Sequence, residues 1–585
     1  MRRRPKVEKA KDPLKAVSLM WNNLKHYKFK IFLIFILVIL TGSFSLVSPY
    51  LMSIIIDRYI AQADFSGLSI MSAVLLGIFI FRSLFSFFQQ FEMIKVSQNT
   101  LKRIRVNLFS HIQNLAYSAI DKMKKGDLLS RISNDVENIN NFLTSGFSEL
   151  ASNIIFIMGT VIAMLLLNWK LALVSLSVIP LITILTIFLT NWTRKVFRQH
   201  QKVVGELSSF LEENLVGIKT IKSFGYENNA NAKFEILNNK ARGIEFKAEL
   251  ASLILPPTLH ALSGIGIGLI VLLGSLLVMH GHATIGALGG IIVYTQRFFH
   301  PFRALASLYN QLQSALAGSE RVKEIHLNPG EKDHPQAEEI NLISGDIKLE
   351  NINFSYDQIQ PVLKNIDITV HHGKTIALVG PTGAGKTTVV KLISRFYEPD
   401  SGEITIDHKN FRQIKKRSFR EKLSVVLQEP FIFSRSIRDN LKYANSSASD
   451  QEMIESCKIA NVHHFIEQLP DKYDTVISEE SSNISAGQKQ LLSIARAILA
   501  DRPITILDEA TSNVDTLTEK KIQEALKHLS KNRTNIVIAH RLSTIKNADV
   551  IVVIDHGEIV EAGNHNDLMA KQGYYYKMYL AGEDY

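Results

Sequence analysis

The sequence predicts a multi-domain chain in which an all-α transmembrane domain of six helices with long cytoplasmic helical extensions precedes an α/β domain. Long runs without charge occur within the first 320 residues, whereas short β-branched runs alternate with helical periods beyond residue 344. The length of 585 residues exceeds that of one soluble domain, since domains usually contain about 100–200 residues. An apolar content of 46% excludes an intrinsically disordered chain. The single cysteine, Cys457, excludes a disulfide scaffold.

Six apolar stretches predict membrane-spanning helices, because about 20 apolar residues cross the hydrocarbon core as a helix. They lie at residues 31–56, 68–91, 142–167, 171–193, 251–279 and 285–308. No water reaches that depth, so the backbone amides must pair within each segment, which forces helices. A buried core helix of a soluble protein would explain one such stretch but not six. A cleaved signal peptide would explain the first, but no small-residue cleavage site follows it.

The positions of lysine and arginine predict the orientation of these spans. Ten of them, against two acids, occupy residues 1–30, and the loops 95–140 and 194–249 are also rich in them. The short intervening loops contain just one arginine, Arg58, and one lysine, Lys170. The positive-inside rule therefore places both termini and both long loops in the cytoplasm. The net charge of +11 then reflects topology and contact with anionic headgroups of the lipid bilayer, so a nucleic-acid partner is excluded.

Both long cytoplasmic loops show helical spacing, which predicts that the spans continue as rods and that their turns touch a cytoplasmic domain. A polar segment around Asn328–Asp333 predicts a linker. The predicted segments are a basic cytoplasmic segment (1–30), the transmembrane domain (31–321), the linker (322–344) and the α/β domain (345–585).

Charged side chains within the spans are candidates for contact with a transported molecule, since charge in a bilayer is costly and usually faces a cavity. They are Arg82, Glu92, Glu149, Arg297 and His300. Polar and aromatic neighbours suit an amphipathic drug or lipid: Gln89, Gln90, Tyr294, Gln296, Phe298 and Phe299. For Glu92 and Arg297 the alternative is a location near the end of a span, and for the polar and aromatic residues it is plain helix packing.

The α/β domain contains a complete phosphate-binding loop. An apolar strand at Thr375–Val379 runs into Gly380-Pro381-Thr382-Gly383-Ala384-Gly385-Lys386-Thr387-Thr388, which matches the P-loop pattern between a strand and a helix. We expect Lys386 to reach the β- and γ-phosphates of ATP and Thr387 to bind Mg²⁺. The residues expected to bind the nucleotide are Gly380, Thr382, Gly383, Gly385, Lys386, Thr387 and Thr388.

Two further strands end in candidates for hydrolysis. Asp508 and Glu509 follow the apolar strand Ile504–Leu507, and His540 follows another at 535–539. Asp508 is expected to hold Mg²⁺ through water, and Glu509 to orient or deprotonate the attacking water. His540 is expected to contact the γ-phosphate. Together with the loop, these residues predict an α/β P-loop ATPase domain.

The stretch Asn483-Ile484-Ser485-Ala486-Gly487-Gln488-Lys489-Gln490 resembles the signature motif of ATP-binding cassette (ABC) transporters. Six spans followed by one cassette resemble an exporter half-transporter of the kind common among bacterial multidrug exporters of the cytoplasmic membrane. The resemblance implies ATP and Mg²⁺ as cofactors, with Tyr356 stacking on adenine and Gln428 meeting Mg²⁺ and the attacking water. It also implies that the signature contacts ATP held by a second cassette, through Ser485, Gly487 and Gln488.

The signature departs from the family pattern at Ala486, where glycine is usual, and at Ile484, where leucine is usual. A methyl group limits close approach to the γ-phosphate, and a residue other than glycine at positive φ costs about 1–2 kcal/mol. Since Glu509 is present, the resemblance implies a second, different half-transporter that lacks this glutamate. A homodimer that tolerates alanine is the alternative.

The predicted function is ATP-driven export of hydrophobic or amphipathic small molecules by alternating access, by a heterodimer. A homodimeric lipid flippase or peptide exporter is the alternative. A membrane sensor that binds ATP without pumping is a further alternative. The presence of Glu509 and His540 argues against this function.

Overall fold

The computed structural model describes residues 12–341, 343–357, 359–477, 484–509, 515–539 and 542–581. The chain forms two compact units, one of Met1–Asn114 with Met123–Asn328 and one of Leu115–Lys122 with Pro329–Tyr585. The first unit is helical and the second contains two sheets flanked by helices. The predicted fold class is therefore confirmed.

Long helices dominate the first unit because their apolar stretches leave no alternative pairing for the backbone in lipid. In chain order the helices are α1 Pro13–Leu24, α2 Lys28–Ile54, α3 Phe65–Gln113, α4 Tyr117–Asp121 (which belongs to the second unit), α5 Lys125–Ser130, α6 Val136–Asn141, α7 Phe147–Leu167, α8 Trp169–Val216, α9 Ile218–Ser223, α10 Glu227–Met279 and α11 Ile285–Leu327. Segments of π-helix lie between some of them, at Ile55–Ile60, Arg131–Asp135 and Phe142–Gly146.

The six predicted spans lie, in order, on α2, α3, α7, α8, α10 and α11, the first and third extending into π-helical segments. By length and composition, four helical stretches among the described residues are able to cross a membrane: Ala16–Ile60, Phe65–Gln113, Lys125–Leu167 and Glu227–Met279. The apolar stretch Trp169–Val178 at the start of α8 is shorter. At 49, 48 and 53 residues, α3, α8 and α10 continue well past their apolar stretches, as the spacing in the long loops predicts.

Polar side chains cap the helices that begin at the predicted external turns. Asp64, Asn168 and Thr284 accept hydrogen bonds from backbone N–H groups in the first turns of α3, α8 and α11. Such a cap satisfies a donor that has no partner within the helix. Each cap therefore fixes where the chain reverses and the next span begins.

The second unit contains an antiparallel sheet and a mainly parallel one. The strands are β1 Ile347–Ser355, β2 Pro361–Val370, β3 Thr375–Val379, β4 Ser401–Ile406, β5 Lys409–Asn410, β6 Leu423–Val426, β7 Ile504–Glu509, β8 Thr534–Ala539, β9 Val550–Asp555 and β10 Glu558–Gly563. The antiparallel sheet has the order β2-β1-β4-β5, and the other β10-β9-β3-β8-β7-β6. In the second sheet only β10 is antiparallel to its neighbour.

Helices cover the mainly parallel sheet. They are α12 Lys386–Ile393, α13 Lys416–Arg420, α14 Ile437–Lys442, α15 Asp450–Ile459, α16 His463–Glu467, α17 Ala486–Ala500, α18 Thr516–Leu529, α19 Leu542–Lys546, α20 His565–Lys571 and α21 Tyr574–Ala581. Strand β3 is buried on both faces: Ile376 packs into the core shared with the antiparallel sheet, and Ala377 into the core shared with α17 and α18. Because parallel strands end at the same edge, the carboxyl ends of β3, β6, β7 and β8 lie along that edge.

Candidate functional site

The loop between β3 and α12 is shaped by glycines with positive φ, at Gly380 (148°), Gly383 (85°) and Gly385 (112°). A Cβ at Gly380 would lie 2.0 Å from the carbonyl oxygen of Ile554, so a larger residue does not fit. At Gly383 a Cβ would meet no atom within 4 Å, and the positive φ alone favours glycine there. The loop thus brings its amides to the N-terminus of α12, where the helix dipole favours an anion.

Lys386 begins α12, and its side chain folds back over this loop. Its Nζ donates to the carbonyl oxygens of Gly380 at 2.5 Å and of Pro381 at 3.0 Å. Burial lowers the pKa of the ammonium group, an effect that the charge of Asp508 opposes. A buried ammonium beside a glycine-rich helix N-terminus fits the phosphates of a nucleotide, so these residues agree with the predicted ATP.

The candidates for hydrolysis lie at the carboxyl edge of the same sheet. Asp508 and Glu509 end β7, which pairs in parallel with β8, and β8 pairs with β3. The charge of Asp508 acts on Lys386, so the two side chains share one electrostatic environment. The side chain of Glu509 and all of His540 lie outside the described residues, and their roles stay predictions.

Three side chains of different chemistry are available for Mg²⁺ at this edge. Thr387 is exposed in the first turn of α12, Asp508 ends β7, and Gln428 is exposed two residues after β6, which pairs with β7. Hydroxyl, carboxylate and amide oxygens are the donors that Mg²⁺ prefers. The donor set therefore fits the predicted ion, although which oxygens bind it stays a prediction.

Tyr356, the predicted adenine-stacking residue, is held beside the P-loop helix. Its hydroxyl lies 3.1 Å from Thr388 Oγ1 in α12. Its ring meets Phe354 and Tyr397 edge-on, at centroid distances of 5.0 and 5.1 Å, and Lys391 Nζ lies 5.2 Å from the ring centroid. These contacts fix the ring orientation, as a stacking platform for a base requires.

The signature residues form the N-terminus of α17. Ser485 Oγ accepts from the N–H of Gln488 at 3.2 Å, and Gln488 Oε1 accepts from the N–H of Ser485 at 2.8 Å. This reciprocal capping box starts the helix, with Gly487 buried in its first turn. The motif therefore presents a second helix N-terminus with the dipole direction that favours phosphate.

The backbone argument about Ala486 is wrong. Ala486 is the first residue of α17 and is not among the described residues with positive φ. Alanine is the residue best suited to a helical backbone, so it carries no conformational cost here. The remaining argument concerns the bulk of the exposed Ala486 side chain, which would limit how closely the signature motif approaches ATP held by a second cassette.

Sequence reasoning missed a cluster that holds α4 within the second unit. Tyr117 stacks on Phe396 with ring centroids 4.5 Å apart, and Asp121 accepts from Tyr397 Oη at 2.7 Å and from Lys391 Nζ at 3.3 Å. Burial raises the pKa of Tyr397, and the hydrogen bond from its hydroxyl lowers the pKa of Asp121. No motif marks these residues, since 270 or more positions separate Asp121 from both partners.

The first unit contains a cavity of about 920 Å³ among α2, α3, α7 and α11. Most of the residues that line it have hydroxyl, amide or charged side chains, whose apolar parts also contribute to the surface. The predicted cargo contacts that line it are Arg82, Gln89, Gln90, Glu149, Gln296 and Arg297. Its volume is within the range of sites for drug-sized molecules, about 300–1,000 Å³.

Other predicted cargo contacts lie elsewhere. Glu92 pairs with two lysines, Lys30 at 3.0 Å and Lys95 at 3.3 Å, which agrees with a location at the end of a span. Tyr294 and Phe298 are packed among helices, being 1% and 6% exposed. The side chains of Phe299 and His300 lie outside the described residues.

Comparison with known proteins gives two family matches. The ABC transporter transmembrane region matches residues 31–302, and the ABC transporter family matches residues 363–512. The uncharacterized ABC transporter ATP-binding protein YfiC of Bacillus subtilis (strain 168) is 39% identical over 98% of this chain and 95% of its own length.

Two further relatives carry names that specify a transported molecule. The fatty acid ABC transporter ATP-binding/permease protein of Mycobacterium tuberculosis (strain CDC 1551 / Oshkosh) is 36% identical over 88% of this chain and 82% of its own length. The ATP-dependent lipid A-core flippase of Syntrophus aciditrophicus (strain SB) is 36% identical over 92% of this chain and 89% of its own length. The membrane helices, the phosphate-binding edge of the sheet and these matches lead to one conclusion: the chain belongs to the ABC transporter family, as an exporter-type half-transporter and multi-pass bacterial membrane protein whose ATPase is coupled to transport.

Proposed function

We propose that the protein exports amphipathic or hydrophobic small molecules from the cytoplasm or the inner leaflet by alternating access. The observation that carries this proposal is the cavity of about 920 Å³ among the membrane helices, whose lining combines polar and apolar surface. The names of two relatives specify a fatty acid and lipid A-core, which are amphipathic. Transport in sealed vesicles tests the proposal, because movement of a labelled amphiphile must require hydrolysable ATP.

In this mechanism, ATP binds and is hydrolysed at the carboxyl edge of the mainly parallel sheet, where the P-loop lies. The loop amides and Lys386 bind the phosphates, and Tyr356 stacks on the base. Thr387, Gln428 and, through water, Asp508 would hold Mg²⁺, which would neutralise negative charge on the phosphates. Glu509 takes the proton of the attacking water.

In this mechanism, each ATP lies between the P-loop of one cassette and the signature motif of the other, so one chain supplies only half of each site. Ser485, Gly487 and Gln488 contact the γ-phosphate of ATP bound to the other cassette of the pair. ATP then binds the closed pair better than the open one, and this differential affinity shifts the equilibrium towards closure. Hydrolysis removes the γ-phosphate contact and lets the pair reopen.

We further propose that the second cassette belongs to a different half-transporter that lacks the catalytic glutamate. The support is the bulk of Ala486 in the signature beside a retained Glu509. Purified alone, the chain is expected to show little ATPase activity, and co-expression with its partner should restore it. ATPase activity and transport by the chain alone would instead identify a homodimer.

The relative named as a lipid A-core flippase favours lipid as the cargo of a second candidate, a flippase that we propose to be a homodimer. The two candidates differ in subunit composition and in cargo. The mass of the detergent-purified complex, and the subunits it contains, distinguish a homodimer from a heterodimer directly.

The contacts of α4 with Tyr397 and Lys391 allow a test of the coupling between ATP hydrolysis and transport. Replacing Tyr397 with phenylalanine removes the hydrogen bond to Asp121 but keeps the ring beside Tyr356. We expect several-fold less transport per ATP hydrolysed, because a hydrogen bond to a charged group contributes about 1.5–3 kcal/mol. Transport and phosphate release are measured together in vesicles.

The matched control is Tyr443→Phe, which removes the hydroxyl of an exposed tyrosine elsewhere in the second unit. An unchanged ratio of transport to hydrolysis in Tyr397→Phe would show that this hydrogen bond has no part in coupling.

A further inference from the structure

We propose that the membrane cavity binds the anionic headgroup of an amphiphile, a carboxylate or a phosphate, through Arg82 and Arg297. This inference rests on the proposed export function and names the charge class of its cargo. Both guanidinium groups line the cavity, together with one carboxylate, Glu149. The charged lining is therefore positive overall.

Among the described residues, no ion pair neutralises Arg82 or Arg297. Arg297 donates one hydrogen bond, from Nη1 to the carbonyl oxygen of Ser45 at 3.2 Å. A guanidinium carries five N–H donors, so most remain available to a ligand. An anion in the cavity would offset the cost of placing these charges at membrane depth.

Buried donors in the same lining point to the same ligand chemistry. Ser148 and Asn153 are 8% and 9% exposed. Within the described part of the chain, Ser148 Oγ and Asn153 Nδ2 have no hydrogen-bond partner. Buried polar atoms without partners are rare in proteins and call for an acceptor such as a ligand or water. Hydroxyl and amide N–H groups in a cavity that two arginines also line suit an oxyanion.

The lining also provides room for an apolar tail. Ile94 and Phe156 contribute apolar surface to the cavity. A neutral or cationic amphiphile could use this surface but would leave the arginines without a counter-ion. The cavity is thus expected to discriminate by headgroup charge rather than by tail.

Equilibrium binding of four probes with the same 14-carbon chain tests the inference. The purified full-length protein, in nanodiscs of phosphatidylcholine without nucleotide, is titrated with myristate, 1-myristoyl-glycerol-3-phosphate, 1-monomyristoylglycerol and tetradecyltrimethylammonium. At least one anionic probe is expected to bind tenfold or more tightly than the neutral and cationic ones. A preference for carboxylate indicates a fatty acid, and one for phosphate indicates a phospholipid headgroup.

Variants connect this selectivity to the two arginines. The double variant Arg82→Gln/Arg297→Gln is expected to lose the tenfold preference, and Arg82→Lys/Arg297→Lys to recover part of it. Arg103→Gln, on α3 about 30 Å along the helix from Arg82, should bind as the parent does. Binding of a fluorescent ATP analogue reports that each variant is folded.

Two results would overturn the inference. One is equal binding of the neutral and anionic probes by the parent, and the other is retention of the preference by the glutamine double variant. Since no nucleotide is present, these results are independent of transport. If the anionic preference is absent, ATP-driven movement of a neutral amphiphile would still support the export function.

Discussion

Replacing Glu509 with glutamine is expected to abolish ATP turnover while ATP binding persists. Glutamine keeps the shape of the side chain at the end of β7 but does not accept a proton from the attacking water. A positioned general base contributes about a hundred- to ten-thousand-fold to a rate, so phosphate release should fall by that factor. ATP should remain bound in the closed pair, and filtration after incubation with labelled ATP measures this retained nucleotide.

A second glutamate serves as the matched control for this variant. Glu455 on α15 has a side chain that is 60% exposed and pairs with Lys458 at the surface, so Glu455→Gln should hydrolyse ATP at the parent rate. If Glu509→Gln released phosphate as fast as the parent, Glu509 would not be the base.

Replacing Lys386 with methionine is expected to weaken ATP binding about ten- to a hundredfold. The charge is lost, and a hydrogen bond to a charged group contributes about 1.5–3 kcal/mol. Methionine keeps most of the apolar stem in a position that is 6% exposed, so the loop and α12 should still fold. Titration with a fluorescent ATP analogue measures the dissociation constant.

Lys348 in β1 provides the comparison. Its side chain is 52% exposed and pairs with Glu350, and Lys348→Met should bind ATP with the parent affinity. Equal affinity of Lys386→Met and the parent, with unchanged thermal unfolding, would remove Lys386 from the nucleotide site.

Features that depend on local sequence were predictable. The P-loop is recognisable because a buried strand, positive-φ glycines and a helix start must be adjacent in sequence, as β3, Gly380–Gly385 and α12 are. The placement of Asp508 at the same edge follows from the rule that parallel strands end together. The long helices follow from apolar stretches and from periodicity that continues beyond them.

Features that depend on tertiary contact were not predictable. Asp121 gives no local signal that it will meet Tyr397, since 276 positions separate them. The backbone of Ala486 was misjudged because family likeness suggested glycine, whereas Ser485 caps the helix and places alanine at its first position. Of the charged residues in the spans, only packing could separate Arg82 and Arg297 in the cavity from Glu92 outside it.

Transport by the assembled protein tests most directly whether nucleotide hydrolysis moves cargo across the membrane. The complex is purified by capture of this chain and reconstituted in sealed vesicles. The cassette faces outwards, and the bilayer contains acyl-labelled fluorescent phosphatidylglycerol. The account predicts that ATP added outside moves label into the inner leaflet, where external dithionite does not quench it. A non-hydrolysable ATP analogue, or the Glu509→Gln complex with ATP, should leave the label accessible. The same protected fraction with and without hydrolysable ATP would contradict the account.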